Sequence, residues 1–240
     1  MIRITYLGHS GFLAETERFC LLFDWSEGEV PPLPEKPLLV FASHRHQDHF
    51  QPRIFALDNG SRKVTFFLGH DLRLTDSRRQ RWNISPETYE RCRVMAGNEI
   101  ISLPGVTVET LPSTDEGVAF LVTCDGKTIY HAGDLNWWHW EGEPSPWNEN
   151  MERDFKQDME PLRGRPIHLA FAPLDPRQEQ AADWGFRYLL ELADVHRIVP
   201  MHQWGDPSPT RQFCVAYPEL AGRVLTLETP GETVAVNDPD

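Results

Sequence analysis

Ala42-Ser43-His44-Arg45-His46-Gln47-Asp48-His49-Phe50 is the stretch that decides how this chain is read. Three imidazoles and a carboxylate fall within residues 44–49, directly after the apolar run Leu38-Leu39-Val40-Phe41. Such a run reads as a buried strand, which puts the cluster in a loop at a strand end. Neutral imidazole and carboxylate suit borderline divalent ions, zinc foremost, with manganese and iron also served. In a loop, His44 and His46 can point to one side while Asp48 and His49 serve a second ion. Two ions roughly 3.5–4 Å apart can hold one hydroxide and clamp a hydrolytic transition state. A surface loop that is merely rich in histidine accounts poorly for this position, density and spacing.

Other landmarks follow in order: Tyr6-Leu7-Gly8-His9-Ser10-Gly11 before the loop, then Ile129-Tyr130-His131-Ala132-Gly133-Asp134 and Val199-Pro200-Met201-His202 after it. Together they resemble the metallo-β-lactamase superfamily, and most of all its branch of sugar-lactone hydrolases and other metal-dependent hydrolases. The resemblance implies an α/β chain of the α+β type, a four-layer αββα sandwich with the metal site at one edge of the sheets. It also implies roles. His44 and His46 match ligands of the first metal, Asp48, His49 and His202 match ligands of the second, and Asp134 matches the bridging carboxylate. Asp48 and Asp134 are then the candidate catalytic groups, with Asp48 also able to hold the water or relay a proton. The plainer alternatives are a turn aspartate at Asp134 and a structural histidine at His202. His9 matches a family landmark, with capping or packing an equal alternative.

One expected ligand is missing. The family pattern has a third first-site histidine where this chain reads Thr110-Leu111-Pro112-Ser113-Thr114-Asp115-Glu116-Gly117. Ser113 stands in its place, and Asp115, two residues on, offers an oxygen; a simple turn over residues 113–115 is the alternative. With Asp115 as ligand the first site becomes harder and shifts toward manganese or iron relative to zinc. Without it, a single ion at the second site would carry the chemistry. Asp175 precedes Pro176 with Gln178 three residues on, the pattern of a capping box, and a polar role near the metals is the other option. Trp137 and Trp138 follow the Asp134 segment and either wall a substrate pocket or fill space between loop and sheet.

The chain has 240 residues, 40% of them hydrophobic, enough for a sizeable core, and is read as one domain, 1–240. No apolar run is long enough for a membrane span, and the amino terminus begins in strand-like alternation with no secretory leader. Four scattered cysteines without a CxxC pair suit a reducing, cytoplasmic setting. A net charge of −13 weighs against a nucleic-acid partner, which Lys and Arg would have to grip. Strands are predicted over 2–7, 12–14, 19–24, 38–41, 64–68, 99–103, 106–111, 118–123, 128–131, 167–172, 198–199, 224–227 and 233–236. Helices are predicted over 53–57, 85–95, 151–162, from Asp175 to Val195, and from Ser208 to Leu220, with 135–150 a long loop.

The expected function is that of a metal-dependent hydrolase carrying one or two divalent ions. Its metal-bound hydroxide would cleave a small ester, lactone or phosphoester, with an anionic small molecule among the expected substrates. A metal-binding relative or sensor without turnover is the alternative from another class. A nuclease of the same fold is disfavoured by charge, and a redox di-iron role is weaker still.

Overall fold

The computed structural model describes residues 1–237. One sheet runs β15-β1-β2-β3-β4-β5-β6 and a second runs β14-β12-β10-β9-β8-β7. The first contains β1 (Ile2–Gly8), β2 (Gly11–Glu15), β3 (Cys20–Phe23), β4 (Leu38–Ala42), β5 (Val64–Gly69), β6 (Cys92–Met95) and β15 (Thr233–Val236). The second contains β7 (Ile100–Leu103), β8 (Val106–Pro112), β9 (Val118–Cys124), β10 (Lys127–His131), β12 (Leu169–Pro173) and β14 (Ile198–Met201). A short parallel pair, β11 (Pro166–Ile167) and β13 (Asp194–Val195), lies apart from both.

The sheets meet through aromatic rings. Phe12 stacks on Phe171 with centroids 4.2 Å apart, and Phe41 meets Phe120 edge-on at 5.2 Å. Each buried phenylalanine of this kind contributes roughly 1.5–3 kcal/mol. Because successive strand residues point to opposite faces, β4 and β5 are apolar on both. Leu39, Phe41 and Phe67 enter the core between the sheets. Leu38, Val40, Phe66 and Leu68 pack on the other face with Ile54, Phe55 and Ile84. Helices cover the second sheet: α3 (Ser145–Met159) through Phe155 and Met159, and α4 (Trp184–Leu192) through Phe186 and Leu189. This is the predicted αββα sandwich. No described helix is long and apolar enough to cross a membrane.

Several predicted boundaries are corrected. The helix over 85–95 stops early: α2 (Pro86–Glu90) gives way to β6, which takes the parallel edge position beside β5. Backbone pairing along that edge outweighs local propensity. The single helix from Asp175 is two elements, a 3-10 turn Pro176–Ala181 and α4, with Glu179 at φ +51° between helical residues. Val195 belongs to β13, not to a helical face. The strand over 167–172 divides between β11 and β12. The last long helix breaks at Pro218, which cannot donate to the preceding turn, into α5 (Ser208–Ala216) and α6 (Pro218–Ala221). Only an isolated bridge, Ile198 to Val224, stands where a strand over 224–227 was predicted. The 135–150 loop is shorter, since α3 begins at Ser145.

Topology then collects the site. Strands β3, β4 and β5 are mutually parallel, as are β10, β12 and β14, so their carboxyl ends open along one edge of the sandwich. Ser43, the first loop residue after β4, is hemmed in by glycines from three other segments. A Cβ added at Gly69 or Gly117 would lie 2.0 Å from the Ser43 carbonyl oxygen, and one at Gly133 would lie 2.7 Å from Ser43 Cβ. Gly117 also has φ +73°. Gly117→Ala is expected to cost on the order of 2–4 kcal/mol from left-handed strain and backbone collision. Urea unfolding checks this, and a midpoint close to that of the parent would contradict the close approach.

Candidate metal centre

Two groups of donor atoms form at the edge, each with its atoms within 4.8 Å of one another: His44, His46, Asp115 and Asp134 in one, His9, Asp48, His49 and His202 in the other. Asp134 faces both. Its Oδ2 lies 3.5 Å from His44 Nε2, and its Oδ1 lies 3.2 Å from His49 Nε2 and 3.5 Å from His202 Nε2. His9 Nε2 lies 3.3 Å from Asp48 Oδ2. His46 Nδ1 lies 3.0 Å from His44 Nε2 and 3.6 Å from Asp115 Oδ2.

Each donor is delivered by a strand end. His44, His46, Asp48 and His49 follow β4; Asp134 follows β10; His202 follows β14; and Asp115 lies between β8 and β9. His9 occupies the turn between β1 and β2, at φ +45°. His202, at φ +63°, is held by its backbone N–H, which donates to the His9 carbonyl at 3.4 Å. Left-handed conformations at non-glycine residues cost energy and cluster at functional sites.

Four buried atoms here have no hydrogen-bond partner: His9 Nε2, His49 Nε2, His202 Nε2 and Asp134 Oδ1. Buried polar atoms are nearly always satisfied, so four orphans converging on one point fit a cation. The donor chemistry agrees, with three imidazole nitrogens and a carboxylate in one group and two of each in the other.

The electrostatics prepare these ligands. Burial, with the neighbouring His49, pushes the His44 imidazolium down to about 4, leaving a neutral imidazole at pH 7. Burial likewise lowers His9. Burial opposes ionisation of Asp48 and Asp134, but the surrounding histidines outweigh it and hold both carboxyls below their usual range. Asp115 moves the other way, raised by burial and by the charge of Asp134.

The structure separates the remaining predicted residues. Ser113 stays out of both groups; its hydroxyl accepts from the Asp115 backbone N–H at 3.2 Å and shapes the turn that presents Asp115. Asp175 does not form the predicted capping box with Gln178. It caps through the Arg177 backbone N–H at 2.9 Å and accepts from His202 Nδ1 at 2.9 Å, so it orients an imidazole as well as a helix turn. Trp137 packs away from the site, on Phe155 and Trp184. Trp138 lines it, pinned by an Nε1–H bond of 3.0 Å to the Asp134 carbonyl. Beside the donors opens a pocket of about 330 Å³.

Sequence reasoning missed Asp24. It is fully buried at the end of β3, at φ +40°. It accepts from the Ser43 N–H at 2.7 Å, the Ser43 hydroxyl at 2.6 Å and His49 Nδ1 at 2.7 Å. Its signal resembled that of Asp134, a carboxylate closing an apolar strand, but no histidine lies beside it in sequence. His131, to which no role was given, is buried behind Asp24. Its Nδ1 accepts from the Gly133 N–H at 3.1 Å and its Nε2 donates to the Ser10 carbonyl at 2.9 Å, which steadies the turn carrying Asp134.

Residues 3–139 match the family model described as a β-lactamase superfamily domain. The chain belongs to that superfamily. A UPF0173 metal-dependent hydrolase of Thermococcus kodakarensis is 27% identical over 256 aligned positions, covering 97% of this chain and 98% of the relative. The metallo-β-lactamase fold protein YhfI of Bacillus subtilis superposes with a TM-score of 0.61 at 15% identity, covering 98% of this chain and 100% of that one. CmlA, a diiron β-hydroxylase of Streptomyces venezuelae, superposes at 0.59 with 14% identity, covering 97% of this chain and 54% of its own.

Removing the partner of a ligand's far nitrogen typically lowers metal affinity 10–100-fold. Asp24→Asn is expected to weaken binding of a divalent ion by the group that contains His49 by about that factor. Competition against a chromophoric chelator measures it, and an unchanged affinity would remove Asp24 from the orientation of His49.

Proposed function

We propose that this protein is a metal-dependent hydrolase that carries two divalent ions and cleaves a small ester, lactone or phosphoester. The observation that carries the reading is the convergence of four partnerless buried donors on one point, with Asp134 facing both donor groups. His44, His46, Asp115 and Asp134 would hold one ion; His9, Asp48, His49 and His202, with the other oxygen of Asp134, would hold the second. Bound divalent ions lower the pKa of water toward 7 and polarise a carbonyl or phosphoryl oxygen. Asp24 and Asp175 fix the ring planes of His49 and His202 by accepting from their Nδ1 atoms. Asp48, partly open to the pocket and held ionised by the surrounding histidines, would help to hold a water beside the second group.

Replacing the family's third histidine by Asp115 makes the first group harder. Manganese or iron is therefore favoured there relative to zinc, which the all-imidazole part of the second group suits. The diiron centre named for CmlA makes iron a reasonable occupant to test. We place the protein in the reducing cytoplasm: Cys20, Cys92, Cys124 and Cys214 are free thiols, and burial raises Cys20 and Cys124 to about 11 and Cys92 to about 12. A small molecule is the proposed substrate, since 36 acidic against 23 basic residues disfavour a polynucleotide.

Plasma mass spectrometry on protein purified without chelator or affinity tag is expected to find close to two ions per chain, falling toward one in Asp115→Ala. Asp134→Ala is expected to abolish turnover across a panel of esters, lactones and phosphoesters while remaining folded by circular dichroism. Stoichiometric metal with no turnover on any of them would instead identify a metal-binding protein without hydrolytic activity.

A further inference from the structure

The pocket beside the donors is lined by Arg177 and four of the chain's eight tryptophans: Trp138, Trp140, Trp147 and Trp204. Among the described lining residues Arg177 is the one Lys or Arg. Its guanidinium is held on three sides. The carbon lies 4.4 Å from the Trp204 ring centroid and 5.8 Å from that of Trp140. Nε and Nη2 donate to the Asp175 carboxylate, with Nε 2.9 Å from Oδ2. Guanidinium carries five N–H bonds, and the two on Nη1 meet no acceptor among the described residues. The side chain is 48% exposed. A cation immobilised by a carboxylate and two indoles, with one nitrogen left open to a pocket, is built to receive an oxyanion.

Three of the rings around it are also held in place. Trp138 and Trp140 stack with planes 4° apart, and Trp138 is tied to the Asp134 carbonyl. Trp204 sits edge-on to His9 at 4.6 Å, with its Nε1–H 3.4 Å from Asp175 Oδ2. Large rigid rings bury ligand area at low entropic cost, and their faces accept flat apolar bodies.

We propose that Arg177 is the substrate-anchoring residue of this site, and that the ligand it selects is a small amphipathic anion, a flat apolar or aromatic body bearing a carboxylate or phosphate oxyanion. The oxyanion bonds Arg177 Nη1, and the body lies against the tryptophan wall. The substrate class rests on the hydrolase reading, whereas the binding site itself does not. Because Asp175 links Arg177 to His202, replacing the arginine could also act through the metal group, and the measurement has to separate the two effects.

Binding of 2-naphthoate and of neutral, nearly isosteric 2-naphthamide to the zinc-loaded protein is to be measured by calorimetry, for the parent, Arg177→Gln and Arg177→Lys, with metal content determined in each. The parent is expected to prefer naphthoate by roughly 10- to 100-fold, the worth of a charge-assisted hydrogen bond. Arg177→Gln is expected to lose that preference while binding naphthamide within about twofold and keeping its metal, and Arg177→Lys to retain part of it. Undiminished naphthoate affinity in Arg177→Gln would overturn the proposal, because the carboxylate would then be held by metal alone. Parallel loss of both ligands, or no binding of either to the parent, would overturn it too. A clear naphthoate preference in a protein that hydrolyses no ester, lactone or phosphoester would keep the anion site and discard the hydrolase.

Discussion

The Asp24 carboxylate is the interaction on which the rest of the edge depends. It is wholly out of solvent, so it is tolerated as an anion only because the Ser43 N–H, the Ser43 hydroxyl and His49 Nδ1 surround it. Burial alone would raise it; His131 and His49 lead the groups that hold it below the ordinary range. Those bonds tie the end of β3 to the loop after β4. They set the entry of the His-rich loop and the direction of His49 Nε2, and through Ser43 they govern how closely Gly69, Gly117 and Gly133 approach.

A second carboxylate does the same for the other half of the site. Asp175, at the end of β12, accepts from His202 Nδ1 as Asp24 accepts from His49 Nδ1. The first sheet supplies one oriented imidazole and the second sheet supplies the other, with Asp134 Oδ1 between them. His49 sits between Asp24 and Asp134; burial would lower its pKa, but attraction to those two carboxylates raises it well above the usual value. Such a cluster holds together only if the sandwich is rigid, because its donors come from the ends of five strands, β1, β4, β8, β10 and β14, in two sheets. The phenylalanines packed between the sheets, one pair stacked and one edge-on, provide that rigidity.

Asp175 also joins the second donor group to the aromatic wall of the pocket. Its carboxylate accepts from His202 and Arg177, and Trp204 Nε1 approaches the same oxygen. One buried anion therefore positions a metal-facing imidazole, a pocket-facing cation and one indole. The orientation of that imidazole and the placement of that cation share one carboxylate.

Much of this was legible in the chain itself. The density of histidine after an apolar run located the loop, and the order of later landmarks, through the family resemblance, pointed to Asp134, His202 and the αββα sandwich. Asp115 was legible as a candidate oxygen donor because it lies two residues from the gap left by a missing histidine, and the fold brings it within reach of His44, His46 and Asp134. What linear reasoning could not supply is distance between segments. Asp24, Arg177, Trp147 and Trp204 carry no local pattern that separates them from ordinary strand-end, turn and surface residues; they matter only because parallel strands from two sheets bring their carboxyl ends to one edge. The same limit explains β6 and the break after Asp175, where pairing and packing overrode helical propensity. Local chemistry determined which side chains were competent to bind a metal, and only tertiary packing decided which of them share a point in space, because hydrogen bonds and coordination act over a few ångströms and ignore separation along the chain.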